Sequence, residues 1–151
     1  MQQTAPFKLE DGILLEESGT VLPWGAELNA LLEIEGGRQS RWEEVSWLSK
    51  KVLGGMLANV KYIVRRKEFD VTPIYDSAED LERAYEKTVE HLTEAVGPPH
   101  KVHEDRSNFV KDLVYPVSTW QWDNIRITCR TYEGDGALVI PFCELCITKL
   151  K

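Results

Sequence analysis

The stretch from Ala78 to Val96 leaves this chain less conformational choice than any other. Leu81, Ala84, Tyr85, Thr88, Leu92, Ala95 and Val96 recur at helical spacing on one stripe, and Glu82, Arg83, Glu86 and Glu90 fall on the far side. Asp76 or Ser77 can cap the start, and Glu79, Asp80 and Glu82 place negative charge where the helix dipole favours it. Gly97-Pro98-Pro99 ends it, because glycine accepts the left-handed residue past the last turn and proline cannot continue the ladder. An amphipathic helix has to bury its stripe against another layer, so the rest of the chain must supply one.

Most of that remainder is strand-like. A short helix is expected first, where Leu28, Leu31 and Leu32 follow Leu22-Pro23-Trp24-Gly25 and precede Gly36–Gly37. Strands are expected over 42–48, 51–58 and 60–67, the second weakened by Gly54–Gly55, with short links that favour an antiparallel meander. After the long helix, 100–113 is polar and reads as loop. Strands follow over 119–123, 125–132 and 137–150, with a hairpin signal at Glu133-Gly134-Asp135-Gly136 and Pro141 marking an edge or a bulge. The order of elements reads as two αβββ half-repeats, 24–70 and 76–150. The expected fold is α+β: one domain over 1–151, with a bent antiparallel sheet of about six strands and two helices packed on one face.

Charge narrows the partners. The formal net charge of −7 disfavours nucleic acid, whose phosphates demand a basic face. No apolar run approaches the roughly 18 residues that a bilayer-spanning helix needs, and residues 1–12 lack the basic and apolar regions of a secretory signal. Cys129, Cys143 and Cys146 are an odd set without framework spacing. A cytoplasmic protein without a disulfide scaffold is expected.

Catalytic signals are weak. Cys143 and Cys146 form a C-x-x-C, but the flanking sequence reads as a strand, where residues three apart face opposite ways, so buried thiols are expected in place of a redox or zinc pair. His100-Lys101-Val102-His103-Glu104-Asp105 gathers two imidazoles and two carboxylates, a set that could hold a metal or move a proton; in a polar loop it reads as solvated. His91 sits at the edge of the helical stripe, where a hydrogen bond to a carboxylate is expected. Arg65-Arg66-Lys67 is read as a charged strand end. There is no nucleophile elbow, and Gly134-x-Gly136 lies between strands and cannot open a phosphate-binding helix. The chain is therefore expected to lack catalytic residues, cofactor and metal.

Aromatics and charge point instead to binding. The five tryptophans exceed what a chain of this size needs for its core. Trp120 and Trp122 are read as core because Ile125 and Ile127 follow them. With Leu22-Pro23-Trp24-Gly25 before a short helix, Val96-Gly97-Pro98-Pro99 closing the long one, and Trp120-Gln121-Trp122 ahead of Ile125-Arg126-Ile127, the chain resembles small, uncharacterised bacterial α+β proteins, including immunity partners of toxins. That resemblance implies action by binding and carries over no functional residue. Residues 1–45 hold nine carboxylates against Lys8, Arg38 and Arg41. Glu33, Glu43 and Glu44, with Trp24 and Trp42 as aromatic anchors, are the candidate partner-binding residues of a protein-binding module, an inhibitor or immunity protein for a basic partner. The alternative is a small-molecule-binding protein or enzyme with its site near 100–113.

Overall fold

The computed structural model describes residues 4–105, 115–132 and 142–150. A two-stranded hairpin, β1 (Gly12–Leu15) and β2 (Thr20–Pro23), precedes helix α1 (Leu28–Leu32). Four strands then run as a meander: β3 (Arg38–Arg41), β4 (Glu44–Val52), β5 (Met56–Ile63) and β6 (Glu68–Pro73). Helices α2 (Ala78–Glu82) and α3 (Ala84–Val96) lead to a second meander of β7 (Lys101–Asp105), β8 (Tyr115–Gln121), β9 (Ile125–Tyr132) and β10 (Phe142–Lys149). β6 pairs antiparallel with β10, so the two meanders fuse into one eight-stranded sheet, ordered β3-β4-β5-β6-β10-β9-β8-β7.

Period-2 patterning accounts for the core. Across the sheet, Val45, Tyr62, Phe69, Ile147, Ile127 and Trp120 are successive partners, and all are buried. A second buried row, Trp47, Val60, Val71, Leu145, Cys129 and Ser118, lies beside it on the same face. Both helices and the hairpin cover that face: α3 lies against β9 and β10 with Ala84, Thr88 and Leu92 inward, α1 against β4 with Leu31 inward. Each half places a tryptophan on the second strand of its meander. Its indole N–H donates to the carbonyl just past its helix, Trp47 Nε1 to Ile34 O at 2.7 Å and Trp120 Nε1 to Gly97 O at 3.0 Å. Burying a large ring while satisfying a helix-end carbonyl locks helix to sheet in both halves by the same device.

The architecture is α+β and mainly antiparallel, as expected, but the sheet has eight strands where six were expected, and each half is αββββ. The additional strands have physical explanations. β3 and β7 are the two edges, short and polar, and an edge strand needs only one ladder and no apolar face. β7 occupies the start of the stretch read as loop; 106–114 lies outside the described residues. β6 is central, but its sequence EFDVTP follows a basic run and has only Phe69 and Val71 to mark the buried face. The expected second strand over 51–58 is divided by a turn: Lys51 and Val52 end β4, 53–55 turn the chain, and Met56 to Ala58 begin β5. There Leu53, Gly54 and Gly55 take φ values of 52°, 83° and 93°, and the Glu16 carboxylate accepts from both glycine N–H groups at 2.7 Å. The expected strand over 137–150 begins in the described residues at Phe142; Pro141 and the 133–136 hairpin signal lie outside them.

The long helix is broken at Arg83 (φ −107°, ψ 23°). Ser77 caps α2, accepting from Asp80 N–H at 3.0 Å, and Gly97 follows the end of α3. α2 buries nothing, and Leu81, placed in the apolar stripe by its spacing, is 51% exposed. The break rotates the first turn out of register, so the stripe packs only from Ala84 onward. Among the described residues no helix is long and apolar enough to cross a membrane.

Candidate functional site

The face of the sheet away from the helices carries no layer among the described residues. On it, Lys61, Asp70, Cys146, Thr128, Thr119 and Lys101 are successive cross-strand partners from β5 to β7. The same alternation that buries Phe69 and Val71 turns Glu68 and Asp70 of β6 to this face. The alternation that buries Cys143, Leu145 and Ile147 likewise turns Glu144 and Cys146 of β10 outward. This outer face is not flat. It holds one depression of about 490 Å³ over β4, β5, β6 and β10, and another of about 550 Å³ over β7, β8 and β9.

The two basins differ in charge. Glu44, Glu68, Asp70 and Glu144 line the first together with Lys61, Arg65, Arg66 and Arg130, and Trp42 stands over it, 82% exposed. Lys101, His103, Arg126 and Arg130 line the second, with no carboxylate among the described lining residues. The first basin has an unusual floor. Asp70 is only 8% exposed, and its Oδ1 is sealed from solvent with no hydrogen-bond partner. Burial pushes its carboxyl up to about 8, reinforced by a hydrogen bond with Glu68 and by the charges of Glu144 and Glu68, against the pull of Lys61. Lys61 Nζ itself lies 3.7 Å from Glu44 Oε1. Beside Asp70, Cys146 Sγ donates to Glu144 Oε1 at 3.4 Å, and burial with the neighbouring charges of Asp70, Glu144 and Glu68 pushes its thiol well up.

The candidates named from sequence are dispersed by the fold. Trp42 and Glu44 line the first basin; Glu43 lies between them in the turn from β3 to β4, with φ 61°. Glu33 ends α1, exposed, and does not line the basin. Trp24 is part of the core periphery: its ring meets Phe69 and Tyr62 edge-on at 4.8 and 6.4 Å, and its Nε1 donates to Leu9 O at 2.7 Å. Several acidic residues of 1–45 are already engaged, Glu16 at the β4–β5 turn, Glu35 with Lys50 at 3.6 Å and Glu44 with Lys61.

The histidines separate. His100 Nδ1 accepts from Gln121 N–H at 2.8 Å with its ring against Trp122, whereas His103 lines the basic basin. His91 Nε2 donates to the Leu53 carbonyl at 2.7 Å, where a carboxylate partner was expected. Cys143 and Cys146 face opposite ways, and Cys143 meets Cys129 in the core with sulfurs 3.4 Å apart. The residues that sequence reading missed are Glu68, Asp70, Glu144 and Arg130. Their only sequence signal was period-2 alternation with buried neighbours, and alternation cannot say that β6 and β10, distant in the chain, are paired. No protein-family model, curated protein or solved structure matches the chain.

Proposed function

We propose that this chain is a protein-binding module that receives a basic partner on the uncovered face of its sheet, as an inhibitor or immunity protein would. The observation that carries the reading is Trp42, 82% exposed at the rim of a concave, carboxylate-floored basin. A large ring held in water beside a recess is suited to anchor an interface, while charges around it give orientation and speed of encounter. Eight strands at about 4.8 Å spacing make a face roughly 35 Å across, room for a standard interface of about 800 Å² per partner. The partner surface that fits carries mixed charge over β4, β5, β6 and β10, where among the described residues four carboxylates lie with four cations, and acidic groups over the β7–β9 basin. The net charge of −7 favours a partner that is basic as a whole.

The test is site-specific photo-crosslinking in the native host, with the reactive amino acid at position 42 or, as control, at exposed Glu90 on α3. One basic protein should crosslink stoichiometrically from 42 and not from 90, and Glu44→Lys should slow its association in purified form. Identical adducts from both positions, or an unchanged association rate in Glu44→Lys, would sink the reading. A second reading, a small anionic ligand over Lys101, His103, Arg126 and Arg130, draws on the basin without a described carboxylate. A metabolite that copurifies and is lost on Arg126→Glu would favour it.

A further inference from the structure

We propose that the floor of the first basin is a divalent-cation site of the zinc class, formed by Glu68, Asp70 and Cys146 with Glu144 as the adjoining fourth donor. Glu68 and Asp70 are two apart on β6 and share its outer face; Cys146 is the direct cross-strand partner of Asp70. One carboxylate oxygen from each acid and the Cys146 sulfur all lie within 4.8 Å of one another. Glu144 Oε1 is 3.4 Å from that sulfur. Zinc bonds of about 2.0–2.3 Å to oxygen and sulfur need donors somewhat closer together than this. The two glutamates can close the gap by rotamer change, while the ladder holds Asp70 and Cys146 in place.

A second observation distinguishes this group from an ordinary acidic cluster. Asp70 is more than nine-tenths buried, its Oδ1 accepts no hydrogen bond, and its carboxylate is one of the three donors of the group. A buried carboxylate beside two others is costly unless a cation or a proton answers it. Lys61, across from Asp70 on β5, has Nζ at Glu44, and Arg130 is the cross-strand partner of Glu144 on β9. Glu144 is therefore the most contested of the four donors. The donor set selects the ion: a thiolate is foreign to magnesium and calcium, and two or three carboxylates are too hard for copper(I). Binding displaces the proton of the Cys146 thiol and the one held between Glu68 and Asp70, both of which leave to solvent. The donors are unrelated to His100 and His103, a set that could hold a metal but reads as solvated from sequence, and the site departs from the expectation of no metal. The inference is also separate from the partner reading, which rests on the rim and Trp42; either can fail without the other.

The test uses the full chain, reduced and stripped with a chelator, titrated with zinc by calorimetry and with cobalt(II) by absorbance. One equivalent should bind tighter than about 1 µM, and cobalt should give a thiolate charge-transfer band. Cys146→Ser should abolish the band, and Glu68→Gln should weaken zinc at least about tenfold, with circular dichroism unchanged. His100→Ala and His103→Ala should leave both signals intact. Absence of a stoichiometric site in the folded wild-type chain, a band that survives Cys146→Ser, or affinity indifferent to Glu68→Gln would each overturn the site.

Discussion

Asp70 and Glu16 show two opposite ways in which a carboxylate can be held. The Asp70 carboxyl, pushed up to about 8 mainly by burial, keeps its proton in the folded chain over a range where the unfolded chain has lost it. It is faced by Glu68 on its own strand, Glu144 and Cys146 on β10, and Lys61 on β5, with Glu44 beyond. Folded protein thus binds the extra proton between about pH 4 and pH 8, so in chelator-treated protein stability should fall as pH rises through that window and level off above it. Asp70→Asn, which is neutral throughout, should flatten the decline in urea melts; an unchanged slope would mean that Asp70 is not its source. Glu16 is instead satisfied twice over by Gly54 and Gly55 N–H groups in a run of left-handed residues. Glu16→Ala should cost about 1–3 kcal/mol, the value of charge-assisted bonds to backbone donors, measured by chemical denaturation. The Gly54–Gly55 pair was visible as a weak point, but its partner, 38 residues away, was not.

Helix α3 is the element whose physics is simplest. Leu92 is fully buried against the sheet, whereas Leu81 on α2 is half exposed, although both belong to one stripe in the sequence. Leu92→Ala should therefore cost about 2–5 kcal/mol and Leu81→Ala less than about 0.5 kcal/mol. Equal costs in thermal or urea melts would show that α2 packs more closely than its exposure indicates. Helical periodicity specified the buried positions Ala84, Thr88 and Leu92, although Ala95 of the same stripe is exposed; it could not register the break at Arg83, since nothing local forbids helix there. The edge strands β3 and β7 were illegible for a related reason. Strand patterning is a record of burial, and an edge with both faces wet leaves none.

The pairing of β6 with β10 makes one sheet from two αββββ halves. Both buried rows pass through it without interruption, by way of Phe69–Ile147 and Val71–Leu145. Neither half can expose its seam without exposing apolar side chains, so unfolding should be cooperative across it. Leu145→Ala should lower stability by about 2–5 kcal/mol while tryptophan fluorescence and far-ultraviolet circular dichroism continue to report one coincident transition. Two separated transitions would show that the halves are energetically independent. The same seam assembles the candidate site, since Glu68 and Asp70 come from one half and Glu144 and Cys146 from the other.

The α+β class, the capped and terminated helix, the opposite facing of Cys143 and Cys146 and the core role of Trp120 were all readable in the residues, because each follows from spacing along a single element. Strand number, the fate of Leu81, the withdrawal of Trp24 into the core and the meeting of Glu68, Asp70, Glu144 and Cys146 were decided by tertiary structure. Period-2 alternation says which side chains share a face of one strand, but it carries no information on which strand lies next to it. Adjacency between distant segments is set by the summed burial of the whole sheet, and a buried carboxylate such as Asp70 is an outcome of that sum: the rows on the apolar face determine the register, and the charged face has to accept the neighbours that result.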